Sequence, residues 1–316
     1  MRNGHVPGWV KLLGVVAMLT VLALAGCGGG GSGSTLGGSS GGKVGAGIKV
    51  TVGSKKDADG QLLAQMYSLL LQNQGYTVTT KLGLGDNKVL DAAIKSGDVD
   101  IYPEFNGTAL GNYNLPTTQD PQKAYQEAKD YYEKNFKVTW LAPALQLNDS
   151  YGICTSQGNA TKHNLKTLED LAKVANQLTL AGQTDFTNAK TGIFPPVAKT
   201  YGITFKKTVT IQESLGFDAV KSGQVDVNEC YTTDPAIVTN NFMLLTDSKN
   251  VFPAFNPSPI VRDPLLQKSP AVADTLNKLA PHLTTDKIVN LIKQVTVDGK
   301  TVESVARQFL QSEGLL

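Results

Sequence analysis

From residue 48 onward, short apolar runs alternate with stretches of helical periodicity. Ile48-Lys49-Val50-Thr51-Val52 switches between apolar and polar at period two, which predicts a strand. Gly53-Ser54-Lys55-Lys56 reads as a loop, and beyond Gln61 the residues Leu62, Leu63, Met66, Leu69 and Leu70 recur at helical spacing until Gly75. A strand over 76–82, a helix over 87–96 and a strand over 99–102 complete a β-α-β-α-β order, the unit of a mostly parallel sheet. A helix over 121–136 and a strand over 138–141 follow, the strand leading to a crossover. A second series begins with a strand at 151–155. It continues with a helix at 166–175, a strand at 178–181, a helix at 191–201, a strand at 208–211, a helix at 214–222 and a strand at 225–229. The chain then returns near 252–262 and closes with helical stretches at 269–279, 284–295 and 302–312. The pattern predicts an α/β protein of two similar lobes, one discontinuous (48–148 with 252–316) and one continuous (149–251).

One stretch recurs. Residues 93–108 read AIKSGDVDIYPEFNGT, and residues 219–234 read AVKSGQVDVNECYTTD. Each copy predicts the end of a helix, a glycine at its C′ position and a short apolar strand. An aromatic stands at the same offset in both, Phe105 and Tyr231. Ligands in open α/β sheets sit outside the carboxyl ends of the strands. Two lobes that each present an aromatic there suit a ligand held in the cleft between them.

The N-terminal residues follow other rules. Arg2, His5 and Lys11 form a basic region, and the apolar run 12–25 is too short and too terminal for a comfortable membrane span. It ends in Leu24-Ala25-Gly26-Cys27, which resembles the bacterial lipobox, in which the cysteine is lipidated and becomes the first residue after cleavage. An ordinary secretory signal or an anchor helix is the other reading. Residues 28–47 are nearly all Gly and Ser and predict a flexible tether between the signal (1–27) and the folded body. The expected location is the extracytoplasmic face of the cell membrane, with the protein held there by lipid. Apolar content of 41% and charged content of 18% are those of a globular chain. Without Arg2 and Lys11 the 29 basic residues become 27, equal to the acidic ones, which argues against a nucleic-acid partner.

Enzymatic chemistry finds little support. His5, His163 and His282 are the only histidines, and no spacing of His, Cys and Asp resembles a zinc site. No P-loop, GxGxxG or GxSxG motif occurs; Glu104 and Asp149 are the only acid–base candidates in a cleft, and the favoured reading of each is a structural hydrogen bond near a strand end. No catalytic residue, metal or cofactor is expected. Phe105, Tyr151, Tyr231 and Phe255 fall at strand ends or in loops. Any one of them reads as an ordinary packed ring, but four at places that a two-lobed fold brings together suggest a cage. Ring faces attract cations, and aromatic cages select quaternary ammonium groups; Asp149, two residues before Tyr151, would add Coulomb attraction. Cys154 and Cys230, an even pair outside the cytoplasm and each within three residues of one of these tyrosines, are either bonded or two buried free thiols.

From Ile48 to Leu316 the chain resembles the extracytoplasmic glycine betaine/choline-binding proteins of osmoprotectant ABC transporters. The resemblance rests on VGSKKDADGQLLAQM, IYPEFNGTAL, LNDSYGI, VDVNECYTTD and ARQFLQSEGLL. It implies a type II periplasmic-binding-protein-like fold with ligand in the inter-lobe cleft, a monomer, and permease and ATPase subunits as partners. It also implies a cation cage of Phe105, Tyr151, Tyr231 and Phe255 beside Asp149, with Lys55 and Thr108 matching groups that hold the ligand carboxylate in betaine binders. Two departures stand out. Ala189 occupies the place of an Arg that serves the carboxylate in a family loop, with Lys190 next to it, and Phe105 and Phe255 replace tyrosines. A quaternary amine such as choline or glycine betaine is the expected solute, with carnitine, a non-quaternary osmolyte or an extracellular enzyme activity as alternatives.

Overall fold

The computed structural model describes residues 43–316 apart from residue 191; the expected signal, Cys27 and all but the last residues of the Gly/Ser stretch lie outside the described residues. Among the described residues ten strands form two sheets. The first contains β1 (Lys49–Lys55), β2 (Thr77–Gly85), β3 (Ile101–Phe105), β4 (Val138–Trp140) and β10 (Pro257–Arg262). The second contains β5 (Tyr151–Ser156), β6 (Thr179–Gly182), β7 (Lys207–Thr210), β8 (Val227–Tyr231) and β9 (Phe242–Leu244). Their orders are β2-β1-β3-β10-β4 and β7-β6-β8-β5-β9. In both, three strands run parallel and the fourth is antiparallel to its neighbours. The fourth place is filled by β10 in one sheet and β5 in the other. The chain therefore enters the second sheet, and re-enters the first, on an antiparallel strand.

The recurring sequence is a recurring structure. Asp100 and Asp226 hold the start of β3 and β8 in the same way. The Asp100 carboxylate accepts from the Thr51 amide at 2.8 Å and its own amide donates to the Thr51 carbonyl. The Asp226 carboxylate accepts from the Thr179 amide at 2.7 Å and its amide donates to the Thr179 carbonyl. Gly97 and Gly223 end the preceding helices at φ of +93° and +73°. At Gly97 the positive φ calls for glycine, and a Cβ would also stand 2.7 Å from the Arg262 guanidinium and push it from its pairing with Asp100 at 3.3 Å.

Helix α1 (Ala58–Asn73) is buried on nearly every side, against the first sheet and the C-terminal helices Thr285–Thr296 and Val302–Ser312. Its first turn is capped by Asp57, whose carboxylate accepts from the Gly60 amide at 3.1 Å. Helices α2 (Asn87–Ser96), α3 (Asn106–Asn112) and α4 (Pro121–Phe136) complete the first half of that lobe. Cys154 and Cys230 are joined by a disulfide that crosses from β5 to β8, closing a separation of 76 residues.

The structure departs from the sequence pattern at several places. The expected loop 53–56 is strand as far as Lys55, because Gly53 pairs with Lys81 and lies against Val99, burial that local composition does not report. The pairing shifts between Gly53 and Lys55, an irregularity that re-aims the strand end. The strands expected at 99–102 and 225–229 begin later and end on Phe105 and Tyr231 themselves. The helix expected at 191–201 starts at Phe194, with proline in its first positions, and the one expected at 269–279 shrinks to Ala271–Asn277. Short helices such as α3, Gln157–His163 and Asp263–Lys268 have too few turns to show a period.

Candidate functional site

The ends of β1, β3, β8 and β5 and the start of α1 converge on a cavity of about 570 Å³. All seven residues expected to bind ligand line it: Lys55, Phe105, Thr108, Asp149, Tyr151, Tyr231 and Phe255. Lys55, Phe105, Tyr151 and Tyr231 are the terminal residues of strands. Tyr151 opens β5 and pairs directly with Tyr231, which closes β8. Phe105 closes β3 opposite Pro257, and Phe255 lies two residues before β10. The crossover segments are tied together by side-chain bonds. The Phe255 amide donates to Asn148 Oδ1 at 2.8 Å, Ser150 Oγ donates to the Pro253 carbonyl at 2.6 Å, and Thr232 Oγ1 donates to the Asn148 carbonyl at 2.6 Å.

Three of the rings are in contact. Tyr151 lies 4.8 Å from Tyr231 and 5.6 Å from Phe255 between centroids, tilted at 39° to the first and nearly perpendicular, 77°, to the second. Two rings set edge to face make a corner with exposed π-faces. Phe186, fully buried, backs Tyr151 at 5.7 Å. Phe105 lines the same cavity with Lys55 Nζ 5.5 Å from its ring centroid. A Cβ on Gly107 would stand 2.8 Å from the Phe255 ring, so this glycine lets α3 approach it.

The electrostatics are one-sided. Besides Asp149, the cavity is lined by Asp57, Asp59, Asp185 and Asp234. Asp149 accepts from Thr233 Oγ1, and its amide donates to the Phe255 carbonyl at 2.9 Å. Burial, followed by the charges of Asp149 and Asp57, pushes the Asp59 carboxyl well above the usual range. Burial also raises Asp234. Tyr151 is pushed up to about 12, first by burial, with Asp185, Glu229 and Asp149 adding to it against the hydrogen bond with Tyr231.

Lys55, expected to meet a ligand carboxylate, is already engaged: its Nζ donates to Glu104 Oε1 at 2.5 Å, with both side chains buried. Lys190, beside Ala189, is exposed and outside the cavity lining, whereas Asp185, in the short helix Thr184–Thr187 just before it, lines the cavity. The place of the family's guanidinium, Ala189, thus brings no cation to the cleft. Four of the five lining aspartates escaped the sequence reading. Asp57 and Asp59 stand in the KKDADG stretch and Asp234 ends YTTD, so the signal lay inside motifs already singled out; Asp185 carried no signal. Glu104 is fully buried rather than poised as a base, and His282 bonds Glu313 at 2.8 Å. Among the described residues no group of His, Cys, Asp and Glu is arranged to hold a metal ion.

A family model for the substrate binding domain of ABC-type glycine betaine transport systems matches residues 48–312. The carnitine transport binding protein OpuCC of Listeria monocytogenes is 32% identical over 273 residues, 83% of this chain and 86% of that protein. The glycine betaine-binding protein YehZ of Escherichia coli is 28% identical over 84% of this chain and 90% of its own. A crystal structure of a glycine betaine/carnitine/choline ABC transporter superposes with a TM-score of 0.76 at 26% identity, covering 84% of this chain and 98% of that one.

Proposed function

The chain belongs to the family of substrate-binding domains of ABC-type glycine betaine transport systems, and on that premise we propose that its cleft captures a small quaternary ammonium ion that lacks a carboxylate, choline being the type. A member of this family is the solute-binding component of an ABC transporter, with a small-molecule ligand and a permease as its partners. The observation that carries the choice of ligand is the lining itself. Three touching rings and five aspartates face one cavity whose single cation, Lys55, is paired with Glu104. A trimethylammonium group cannot donate a hydrogen bond and is held by ring faces and by Coulomb attraction. A ligand carboxylate would instead meet the aspartates that stay ionised, Asp59 and Asp234 being held toward the neutral form by burial. The N-terminus of α1, which would otherwise suit an anion, is capped by Asp57 and carries Asp59 in its first turn.

Closure of the two lobes around the cation, followed by docking on the permease and release driven by a partner ATPase, completes the reading. The Leu24-Ala25-Gly26-Cys27 sequence supports a lipid anchor at Cys27 on the extracytoplasmic face. The named solutes of relatives, carnitine and glycine betaine, favour a second reading in which the ligand is a carboxylated quaternary amine and Thr108 or Lys55 receives the carboxylate.

Calorimetric titration of the purified protein with choline, glycine betaine and carnitine separates the two. Choline is expected to bind with the highest affinity and glycine betaine at least tenfold more weakly, since one charge-assisted hydrogen bond is worth about 1.5–3 kcal/mol. Equal or tighter binding of glycine betaine overturns the preference. Binding of none of the three overturns the quaternary-amine reading while leaving the family in place.

A further inference from the structure

Glu104 receives three donors, one from β1 and two from its own strand β3. Lys55 Nζ donates to its Oε1 at 2.5 Å, the Phe105 amide donates to the same oxygen at 2.8 Å, and the Tyr102 hydroxyl donates to Oε2 at 2.9 Å. The side chain is completely buried, and Lys55 nearly so. Glu104 does not line the cavity, but two of its three partners do. Lys55 is the only Lys or Arg among the lining residues, and its Nζ sits 5.5 Å from the Phe105 ring centroid. Behind the cleft, the Tyr102 ring that bonds Glu104 is completely buried, so the glutamate is held from the protein side as well.

From this geometry we infer that Glu104 is the specificity-determining residue of the site: by holding Lys55 in an ion pair it withholds the cleft's one cation from a ligand carboxylate. The inference rests on the reading that the cleft takes a quaternary amine. With Glu104 present, the pair contributes no net charge to the wall beside Phe105, and the aspartates decide the field. With Glu104 neutral, the ammonium of Lys55 faces the cavity uncompensated, which repels a cation and offers an anion its partner. Glu104 acts through Lys55 and the Phe105 backbone and is therefore a positioning residue.

Choline and glycine betaine share the trimethylammonium group and differ in the carboxylate, so the ratio of their affinities reads the charge of the pair and cancels damage to the aromatic corner. The test measures that ratio by calorimetry for the purified full chain, for Glu104→Gln, for Lys55→Met and for the double variant. Glu104→Gln is expected to move the ratio about tenfold or more toward glycine betaine, and Lys55→Met to move it away, as one added or removed charge near the ligand does at partly screened distances. The double variant, neutral like the native pair, returns the ratio toward the wild-type value. If Glu104→Gln does not fold, Lys55→Met and the double variant still decide the order.

An unchanged ratio in every folded variant overturns the inference. So does a double variant displaced as far as a single one, since that marks a structural role. If the wild-type protein binds neither probe, the quaternary-amine reading falls and this inference with it. If it binds choline and the ratio does not follow the charge, this inference alone falls.

Discussion

At the residue scale, Tyr151 holds the cleft together: it touches Tyr231 and Phe255 on its faces and edges and is backed by Phe186. Cation–π attraction is worth about 0.5–2 kcal/mol per ring. Tyr151→Ala removes one ring and loosens two others, so choline affinity is expected to fall tenfold or more in a titration, with circular dichroism unchanged. Asp59 gives a prediction of opposite character. Its carboxyl is raised by burial and by Asp149 and Asp57. The neutral form is therefore the one the fold favours, and its contribution to stability is complete below the ordinary aspartate value and lost as pH rises through the raised one. A bound cation favours the ionised form. Binding is expected to release a proton in that window, seen as a dependence of calorimetric heat on buffer ionisation enthalpy that Asp59→Asn reduces to the share of Asp234. Much of this site was legible in the sequence, because aromatics at strand ends need no tertiary information to be noticed. The state of Lys55 was not, since its partner Glu104 becomes its neighbour only through the pairing of β1 with β3.

At the scale of elements, the two copies of the recurring stretch make equivalent bonds. Asp100 and Asp226 each clamp a parallel neighbour, at Thr51 and Thr179. Asp226→Ala leaves the Thr179 amide without its side-chain acceptor and is expected to cost about 1–3 kcal/mol. Asp100→Ala also strips Arg262 of its partner and is expected to cost more; chemical denaturation measures both. The disulfide constrains the second sheet alone. In the chain-entropy model a closed loop of this size stabilises by about 4.5 kcal/mol. Cys154→Ser with Cys230→Ser should lower the melting temperature accordingly while retaining choline binding at low temperature. Helices of three or four turns were readable from period and caps, as α2 and α4 show. The end of β1 was not, because Gly53-Ser54-Lys55 has loop composition and becomes strand only against β2.

At the scale of the whole molecule, the cavity of about 570 Å³ is several times larger than a small quaternary amine. Such a ligand fills it only if the lobes approach. Scattering should therefore show a smaller radius of gyration with ligand than without. The same binding should stabilise the fold by about 2.7 kcal/mol at a ligand concentration of 100 times the dissociation constant. The two-lobed architecture could be read from the order of apolar runs. What that order left open was which strand fills the antiparallel place in each sheet, because β10 reaches β3 only after the chain has passed through the other lobe.

That exchange of places has a kinetic side. Every strand of the second sheet lies between Tyr151 and Leu244, so this sheet can assemble as soon as its own residues are available. The first sheet cannot. Its slot between β3 and β4 stays open until Pro257–Arg262 arrives, and the lock beside it, where the Asn256 amide donates to Asn106 Oδ1, joins residues 150 apart. Closing so long a loop is slow relative to local contacts. As the polypeptide emerges from its N-terminus, the lobe begun first is finished last, and the edges of β3 and β4 wait unpaired while its neighbour is already folded.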